Sequence, residues 1–258
     1  MSRLPALFVG HGAPTLALDA KAGAPLAAWG RELPKPKALL VVSAHWEARA
    51  PTLGTITSVP LLYDFGGFPE PLYHVKYAAP PAPALAPRVL ALLEEAGLGP
   101  EVARNRPWDH GVWTPLVHLF PAADVPLLQL SLVQGASPSA QLALGRALAP
   151  LRDEGVLVVG SGQIVHNLRL RRFGGGAPEA WARDFDAFVA GALERWDLAA
   201  LEKWRDAPGA ETSVPSDEHL APLLVACGAA DGPTPPKVRF TVREFELGNL
   251  SRLSAEFT

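Results

Sequence analysis

The stretch Gly155-Val156-Leu157-Val158-Val159 decides the fold class, because a turn glycine here opens an uninterrupted, mostly β-branched apolar run. Such a run is typical of a strand that is covered on both faces of a sheet. Apolar runs at residues 6–9 and 38–42 are similar, and residues 127–132, rich in leucine, also predict a strand. We expect all four to be core strands.

Amphipathic segments with capping signals alternate with these strands. We expect helices at residues 85–96, ended by Gly97, at 139–151 with Ser137 or Ser139 as N-cap, at 179–196, at 199–205, and at 218–226 after Ser216. Residues 237–246 alternate as an edge strand or hairpin arm does. With no internal repeat and no linker, the pattern predicts one α/β domain over residues 1–258. Its central sheet is mostly parallel or mixed and is flanked by helices.

Composition excludes several classes of function. The chain is 48% hydrophobic and 19% charged, which is typical of a folded globular protein. A net charge of -3 argues against nucleic acid or an anionic membrane as a partner. No apolar run is long enough for a membrane span or a signal peptide, so the expected location is the cytoplasm. Cys227 is the only cysteine, so a metal would need histidine and carboxylate ligands.

Two histidines follow core strands directly. His11 comes after the run at 6–9, and His45 after the run at 38–42. The carboxyl ends of strands in open α/β sheets line the ligand crevice, so both rings are expected there. A third histidine, His219, lies at a predicted helix start beside Glu218. Only one of these two neighbouring side chains is expected to reach a metal bound by His11 and His45. Together they indicate a divalent metal site.

The other histidines fall into two groups. His166 follows the glycine-rich end of a core strand, and His110 lies in what is predicted to be a polar loop, where Asp109 is placed to orient or charge its ring. His118 stands in an apolar stretch and is predicted to be a hydrogen-bonded core residue. His74 is predicted to lie at or near the surface.

Loops supply further candidates. Residues 47–82 are rich in glycine and proline, with Asp64-Phe65-Gly66-Gly67-Phe68-Pro69 at their centre, and the aromatic part from Tyr63 to Tyr77 is predicted to form a lid over the pocket. The triple glycine 174–176 lacks the lysine of a phosphate loop and is predicted to be a flexible turn. The cluster Arg169, Arg171 and Arg172 is predicted to be a solvated turn. No Gly-x-Ser-x-Gly elbow is present to support a serine hydrolase.

Six segments occur in an order that resembles one family. They are His-Gly-Ala-Pro from His11, Ser-Ala-His-Trp-Glu around His45, Asp-Phe-Gly-Gly-Phe-Pro from Asp64, Asp-His-Gly-Val-Trp around His110, Gly-Ser-Gly-Gln-Ile-Val-His-Asn-Leu around His166, and Glu-His-Leu-Ala-Pro-Leu around His219. This set resembles the class III extradiol ring-cleavage dioxygenases (the LigB superfamily), in particular their 4,5-DOPA dioxygenase extradiol branch. The match covers residues 5–230; the segment after Pro236, with Phe240 and Phe245, fits it less well.

The resemblance implies a role for each matched residue. His11, His45 and His219 match the metal ligands, with Glu218 as the alternative to His219. His166 matches the acid/base and, in some relatives, a further ligand, and it is expected to have a near-neutral pKa. His110 matches the second pocket histidine, which assists substrate and oxygen. Phe65, Phe68, Trp113 and Asp109 are the implied substrate-binding residues.

The implied activity is extradiol cleavage of a DOPA-like catechol with O2. The cofactor is one divalent metal ion: Fe(II) is needed for oxygen activation, whereas three imidazoles suit Zn(II) equally well. Two alternatives stay open, a zinc-dependent hydrolase on the same site and a non-enzymatic, MEMO-like binding protein. Retention of both His110 and His166 favours an enzyme. The oligomeric state is not fixed by the sequence, and a homo-oligomer is one possibility.

Overall fold

The computed structural model describes residues 3–54, 60–174 and 176–258. Its main feature is a mixed sheet of eight strands. The strands, including a separate two-stranded hairpin of β8 and β9, are β1 Ala6–Gly10, β2 Ala38–Ala48, β3 Thr52–Gly54, β4 Glu101–Ala103, β5 Leu127–Val133, β6 Val156–Gly162, β7 Val238–Val242, β8 Phe245–Glu246, β9 Leu250–Ser251 and β10 Ser254–Phe257.

The sheet has the order β4-β3-β5-β2-β6-β1-β10-β7. The central strands β5, β2, β6 and β1 are mutually parallel, with Leu40 opposite Val158 and Phe8 opposite Gly160. Antiparallel strands β10 and β7 close one side, and β7 is the predicted edge strand. All four predicted core strands are therefore adjacent, and their carboxyl ends lie at one edge of the sheet.

Helices cover both faces of this sheet. They are α1 Ala20–Glu32, α2 Ala86–Glu95, α3 His110–Leu119, α4 Pro138–Leu148, α5 Ala180–Glu194, α6 Leu198–Glu202, α7 Ala210–Ser213 and α8 Ala221–Ala230. Side chains of β1 alternate between the two cores: Phe8 packs with α2, α4, α5 and α8, and Leu7 packs with α1 and α3. This double burial explains the continuous apolar strands and confirms the α/β fold class. Every helix in the described parts of the chain is too short or too polar to span a bilayer.

Most predicted helices are present, with shifted ends. The side chain of Ser137 accepts a hydrogen bond from the backbone N–H of Ala140 and caps α4, which ends at Leu148 before a short 3-10 turn. Gly97 has a φ of +71°, the left-handed conformation that ends α2. Ser216 does not cap a helix backbone; its hydroxyl donates to the Glu218 carboxylate, and α8 begins only at Ala221.

Two predictions near the site need correction. Strand β2 does not end at Val42 but runs to Ala48, with a register irregularity between Val42 and Glu47, so His45 lies inside the irregular part of the strand. The predicted polar loop at residues 108–113 is instead the start of α3, whose first residue is His110. Helices α1 and α3 were not predicted, because each contains a proline (Pro25 and Pro115), which is unfavourable inside a helix.

Candidate metal centre and active site

Five histidine rings converge at the carboxyl edge of the central strands. His11, His45, His110, His166 and His219 form a continuous group, and the first four line a cavity of about 720 Å³. The ring centroid of His219 lies 5.5 Å from that of His11 and 4.9 Å from that of His45. Residues that are far apart in the sequence therefore share one small volume.

His11 stands directly after β1 and is 1% exposed. Its Nδ1 lies 3.1 Å from the hydroxyl of Ser161, and that hydroxyl donates its own proton to the carbonyl of Gly111. Because the hydroxyl proton is committed, Nδ1 of His11 acts as the donor. The neutral ring then has its lone pair on Nε2, on the side that faces His45.

His45 reaches the same point from β2. Its Nδ1 lies 3.5 Å from Oδ2 of Asp64, which places the ring proton on Nδ1 in the neutral form. Its Nε2 lies 3.3 Å from Nε2 of His11. Two acceptor nitrogens that face each other at this distance repel unless a cation or a proton stands between them.

His219 presents an unsatisfied nitrogen. Nδ1 lies 3.1 Å from the Glu218 carboxylate, and Nε2 is buried without a hydrogen-bond partner in the described structure. An unpaired buried nitrogen is costly, since burial removes it from water. A hydrogen bond to Nδ1 in His11 and His219, and the Asp64 carboxylate 3.5 Å from Nδ1 in His45, thus leave the Nε2 lone pairs of three rings free, an arrangement typical of histidines that ligate metals. The donor set fits a divalent ion.

The electrostatics favour neutral rings. Burial, followed by repulsion from neighbouring histidines, lowers the pKa of His11 and His219 well below the usual value. Burial and the neighbouring His110 lower the pKa of His45 to about 3. Neutral imidazole is the form that binds a metal, so burial prepares these groups for coordination.

His166 lies four residues beyond β6 and stacks on His219 with the ring centroids 3.4 Å apart. Burial and repulsion from His45 lower its pKa to about 4. The near-neutral pKa expected from the sequence is therefore wrong. The ring is nonetheless neutral at pH 7 and able to accept a proton.

Geometry alone does not select one set of three ligands. Ligand atoms of His11, His45 and His110 all lie within 4.8 Å of one another, and those of His166, Glu218 and His219 form a second group of this kind. Glu218, the alternative third ligand, has one oxygen engaged by Ser216 and by His219. The ligand assignment made from the sequence stays a prediction.

The orienting partner of His110 is Asp64, and the role predicted for Asp109 is wrong. Oδ1 of Asp64 accepts from both the backbone N–H and Nδ1 of His110, at 3.0 and 2.9 Å. Asp109 is fully buried and does not line the cavity; its carboxylate accepts from Ser43 and Gln129. Although Asp109 adjoins His110 in sequence, its N-cap position on α3 directs its side chain toward the strands.

The predicted wall residues are partly right. Phe65 and Phe68 line the cavity and pack edge to face, with centroids 5.3 Å apart. Trp113 does not reach the cavity: it is fully buried, donates to the Leu62 carbonyl and supports Phe65 from behind at 6.0 Å. The described wall residues that follow Pro236 are Glu246, Leu247 and Leu250, and neither Phe240 nor Phe245 is among them.

The predicted lid lies on the same face as the histidines. Residues 64–68 line the cavity, whereas Tyr77 is buried elsewhere and donates to the Phe120 carbonyl. Part of the loop-rich stretch, residues 55–59, lies outside the described residues, as does Gly175 of the predicted flexible turn. His74 is exposed, as predicted, and pairs with Glu70. His118 hydrogen-bonds to the Leu16 carbonyl, as predicted, but it is half-buried and not a core residue.

Among the cavity residues that sequence reasoning missed are the charged or amide side chains of Asp64, Gln163, Arg171 and Glu246. Asp64 is the first residue of the Asp-Phe-Gly-Gly-Phe-Pro motif, and a carboxylate next to a glycine-rich turn is the signal that identifies it. The solvated turn predicted for the arginine cluster is correct for Arg169 and Arg171, which are exposed, but Arg171 also lines the cavity. Arg172 is half-buried and donates to the Ala177 carbonyl.

Comparison with known proteins places these features in a family. Residues 11–257 match the family model described as the catalytic LigB subunit of aromatic ring-opening dioxygenase. The chain belongs to this family and is an aromatic ring-opening dioxygenase of the extradiol class.

Relatives specify the branch. The chain is 39% identical to 4,5-DOPA dioxygenase extradiol of Escherichia coli (strain K12), over 99% of this chain and 95% of the relative. It is 40% identical to the protein of the same name from Beta vulgaris, over 86% of this chain and 85% of that one. The crystal structure of an uncharacterized protein from Escherichia coli K12 superimposes with a TM-score of 0.85 at 35% identity, covering 99% of this chain and 100% of that chain.

Proposed function

We propose that the protein is a metal-dependent dioxygenase that cleaves the ring of a DOPA-like catechol with O2, with His11, His45 and His219 as the metal ligands. The observation that carries this proposal is the convergence of three buried imidazoles whose Nδ1 atoms are already engaged. The ring centroids of the three residues lie 4.9–5.5 Å apart, and His11 and His45 line an aromatic-walled cavity. Relatives named 4,5-DOPA dioxygenase extradiol support the catechol substrate.

A divalent ion held by these residues would supply the charge that makes the catechol hydroxyls more acidic and, as Fe(II), the electrons for oxygen activation. His166 lies next to the three proposed ligands, because its ring stacks on that of His219 and lines the cavity. We assign it the role of proton acceptor from a catechol hydroxyl, with direct ligation as the alternative that metal analysis tests.

His110 is positioned to donate a proton to an oxygen atom that gains negative charge during ring cleavage. Because Asp64 holds its Nδ1 proton, the far nitrogen Nε2 is the atom left to exchange a proton with substrate. The Asp64 carboxylate also compensates a positive charge on the ring while that ring holds a second proton. His110 therefore donates a proton at Nε2 where negative charge develops on an oxygen.

The aromatic side chains that line the cavity bind the ring of the substrate. Phe65 and Phe68 offer an edge and a face to a catechol ring, and their apolar surface excludes water from the floor of the cavity. Trp113 fixes Phe65 from behind. The walls thus position the substrate ring above the histidines.

Anaerobic reconstitution with Fe(II), followed by a panel of catechols and O2, tests the proposal. We expect consumption of O2 together with a yellow ring-fission product, and no turnover with Zn(II). His11→Ala, His45→Ala and His219→Ala should each lose metal, whereas the exposed His74→Ala should keep it. Metal-loaded protein that takes up no O2 with any catechol would contradict the proposal.

A further inference from the structure

One positive side chain stands at the mouth of the cavity. Of the described residues that line it, Arg171 is the sole lysine or arginine. The backbone on both sides of Arg171 is tied to the turn between β8 and β9. Asn249 donates to the carbonyl of Leu170 at 2.9 Å, and the N–H of Arg172 donates to the carbonyl of Leu247 at 2.6 Å. Arg171 is therefore held at the rim by two flanking hydrogen bonds.

The guanidinium of Arg171 has most of its donors available. Nη1 donates to the Leu168 carbonyl at 2.6 Å, and the group lies 5.2 Å from the ring centroid of Phe173. Across the described parts of the chain, no carboxylate oxygen lies within 4.0 Å of its nitrogens. A guanidinium stays charged at all physiological pH values and presents five N–H groups that match a carboxylate. The group has the chemistry of an anion anchor without an internal partner.

The carboxylates of the cavity are already engaged. Oε1 of Glu246 accepts from the N–H of Ala13 at 2.8 Å and from Gln163 at 3.2 Å. Asp64 is occupied by His110 and lies beside His45. Both carboxylates repel an anionic group placed deep in the cavity, so such a group is directed outward to the rim where Arg171 lies.

We propose that Arg171 is the residue that binds the side-chain carboxylate of a DOPA-like catechol, while the ring lies against Phe65 and Phe68. This inference rests on the proposed ring cleavage for the orientation of the catechol, with its hydroxyls at the histidines and its tail at the rim. It makes Arg171 the residue that selects the substrate tail.

The test compares three ligands that share the catechol ring: 3-(3,4-dihydroxyphenyl)propanoate, 4-propylcatechol and dopamine. Their tails are anionic, neutral and cationic. Binding is measured by anaerobic calorimetry on Zn(II)-loaded protein, so that the result does not depend on turnover. The variants are Arg171→Met, which removes the charge, and Arg171→Lys, which keeps it. Arg169→Met is the matched control, since Arg169 is exposed, lies in the same segment and does not line the cavity.

We expect wild type to bind the propanoate more tightly than 4-propylcatechol, and Arg171→Met to lose about tenfold in affinity for the propanoate alone. Arg171→Lys should recover part of this loss, and Arg169→Met should match wild type. Tighter binding of dopamine, or an equal loss for all three ligands in Arg171→Met, would overturn the inference. Ring cleavage of 4-propylcatechol by Fe(II)-loaded wild type is scored separately, so failure of the proposed function is distinguishable from failure of the tail assignment.

Discussion

Asp64 holds His110 through two hydrogen bonds to a single carboxylate oxygen, one from the backbone N–H at 3.0 Å and one from Nδ1 at 2.9 Å. Its other oxygen lies 3.5 Å from Nδ1 of His45. One loop carboxylate thus holds the Nδ1 proton of His110 and lies beside Nδ1 of His45. The hydrogen bond from the His110 side chain is the largest effect that lowers the pKa of Asp64, which falls to about 2 in spite of burial.

Replacement of Asp64 should therefore impair catalysis more than binding. We expect Asp64→Ala to reduce kcat by roughly 10–100-fold, because partners that orient active-site histidines contribute on this scale. Asp64→Asn, which still accepts at one oxygen, should lose less. Steady-state kinetics on both variants, with the pH profile of kcat, measures the effect. A change confined to KM would contradict the orienting role.

Substitution of His166 should impair catalysis, whereas substitution of His118 should mainly lower stability. His166→Ala removes the proposed proton acceptor, so we expect a loss of about 10²–10⁴ in rate with most of the metal retained. His118 hydrogen-bonds to the Leu16 carbonyl at 2.8 Å and packs against Gly23, so His118→Ala should lower stability and leave activity measurable. Metal analysis and steady-state kinetics decide the matter. Equal activity in the two variants would refute the assignment, and loss of metal from His166→Ala would make His166 a ligand.

The strands, and the edge at which the histidines gather, were predictable from the sequence because local apolar runs specify buried strands. The partner of His110 was not predictable in this way. Asp109 is its neighbour in sequence, yet the start of α3 turns Asp109 toward Ser43, and Asp64 comes from 46 positions earlier in the chain. A contact of that kind depends on how loops fold across the sheet, which no local pattern encodes.

Arg171 illustrates the same limit. Arginines in a segment that ends in a glycine run predict a solvated turn, and Arg169 and Arg171 are exposed as this pattern predicts. The structure ties this segment to the turn after β8 through Asn249 and Leu247, and only then does one arginine face the cavity. The long-range hydrogen bonds, and not the composition of the segment, decide its position.

Stability of the metal-free protein should fall as the pH drops below about 6.5. The folded-state pKa is about 3 for His45 and about 4 for His166, both lowered from 6.5, so the unfolded chain binds more protons throughout this window. Each such histidine costs up to about 1.4 kcal/mol of unfolding free energy per pH unit. Asp109 and Glu246, whose pKa values burial raises, act in the opposite sense above pH 4 and offset part of the effect.

Urea unfolding at pH 7.5, 6.5 and 5.5 measures this dependence. His166→Gln should reduce the slope by about one proton. The exposed His74→Gln, which is paired only with Glu70 at the surface, serves as the control and should keep the wild-type slope. A stability that stays flat between pH 6.5 and 5.5 in the metal-free protein would contradict the expectation.

Gly162 should prove necessary for the position of His219. A Cβ at Gly162 would lie 2.2 Å from the His219 carbonyl oxygen, which also accepts from the N–H of Gln163 at 2.8 Å. Gly162→Ala therefore forces the His219 backbone away from β6, with a cost of about 1–3 kcal/mol in stability and a loss of metal affinity of at least about tenfold.

Gly145→Ala is the matched control, because its Cβ would lie 2.1 Å from the Val225 carbonyl, where α4 packs on α8. Thermal unfolding and chelator competition for the metal separate the two: both variants should be destabilised, and only Gly162→Ala should bind metal more weakly. Equal metal affinity in the two variants would show that His219 does not depend on this close approach.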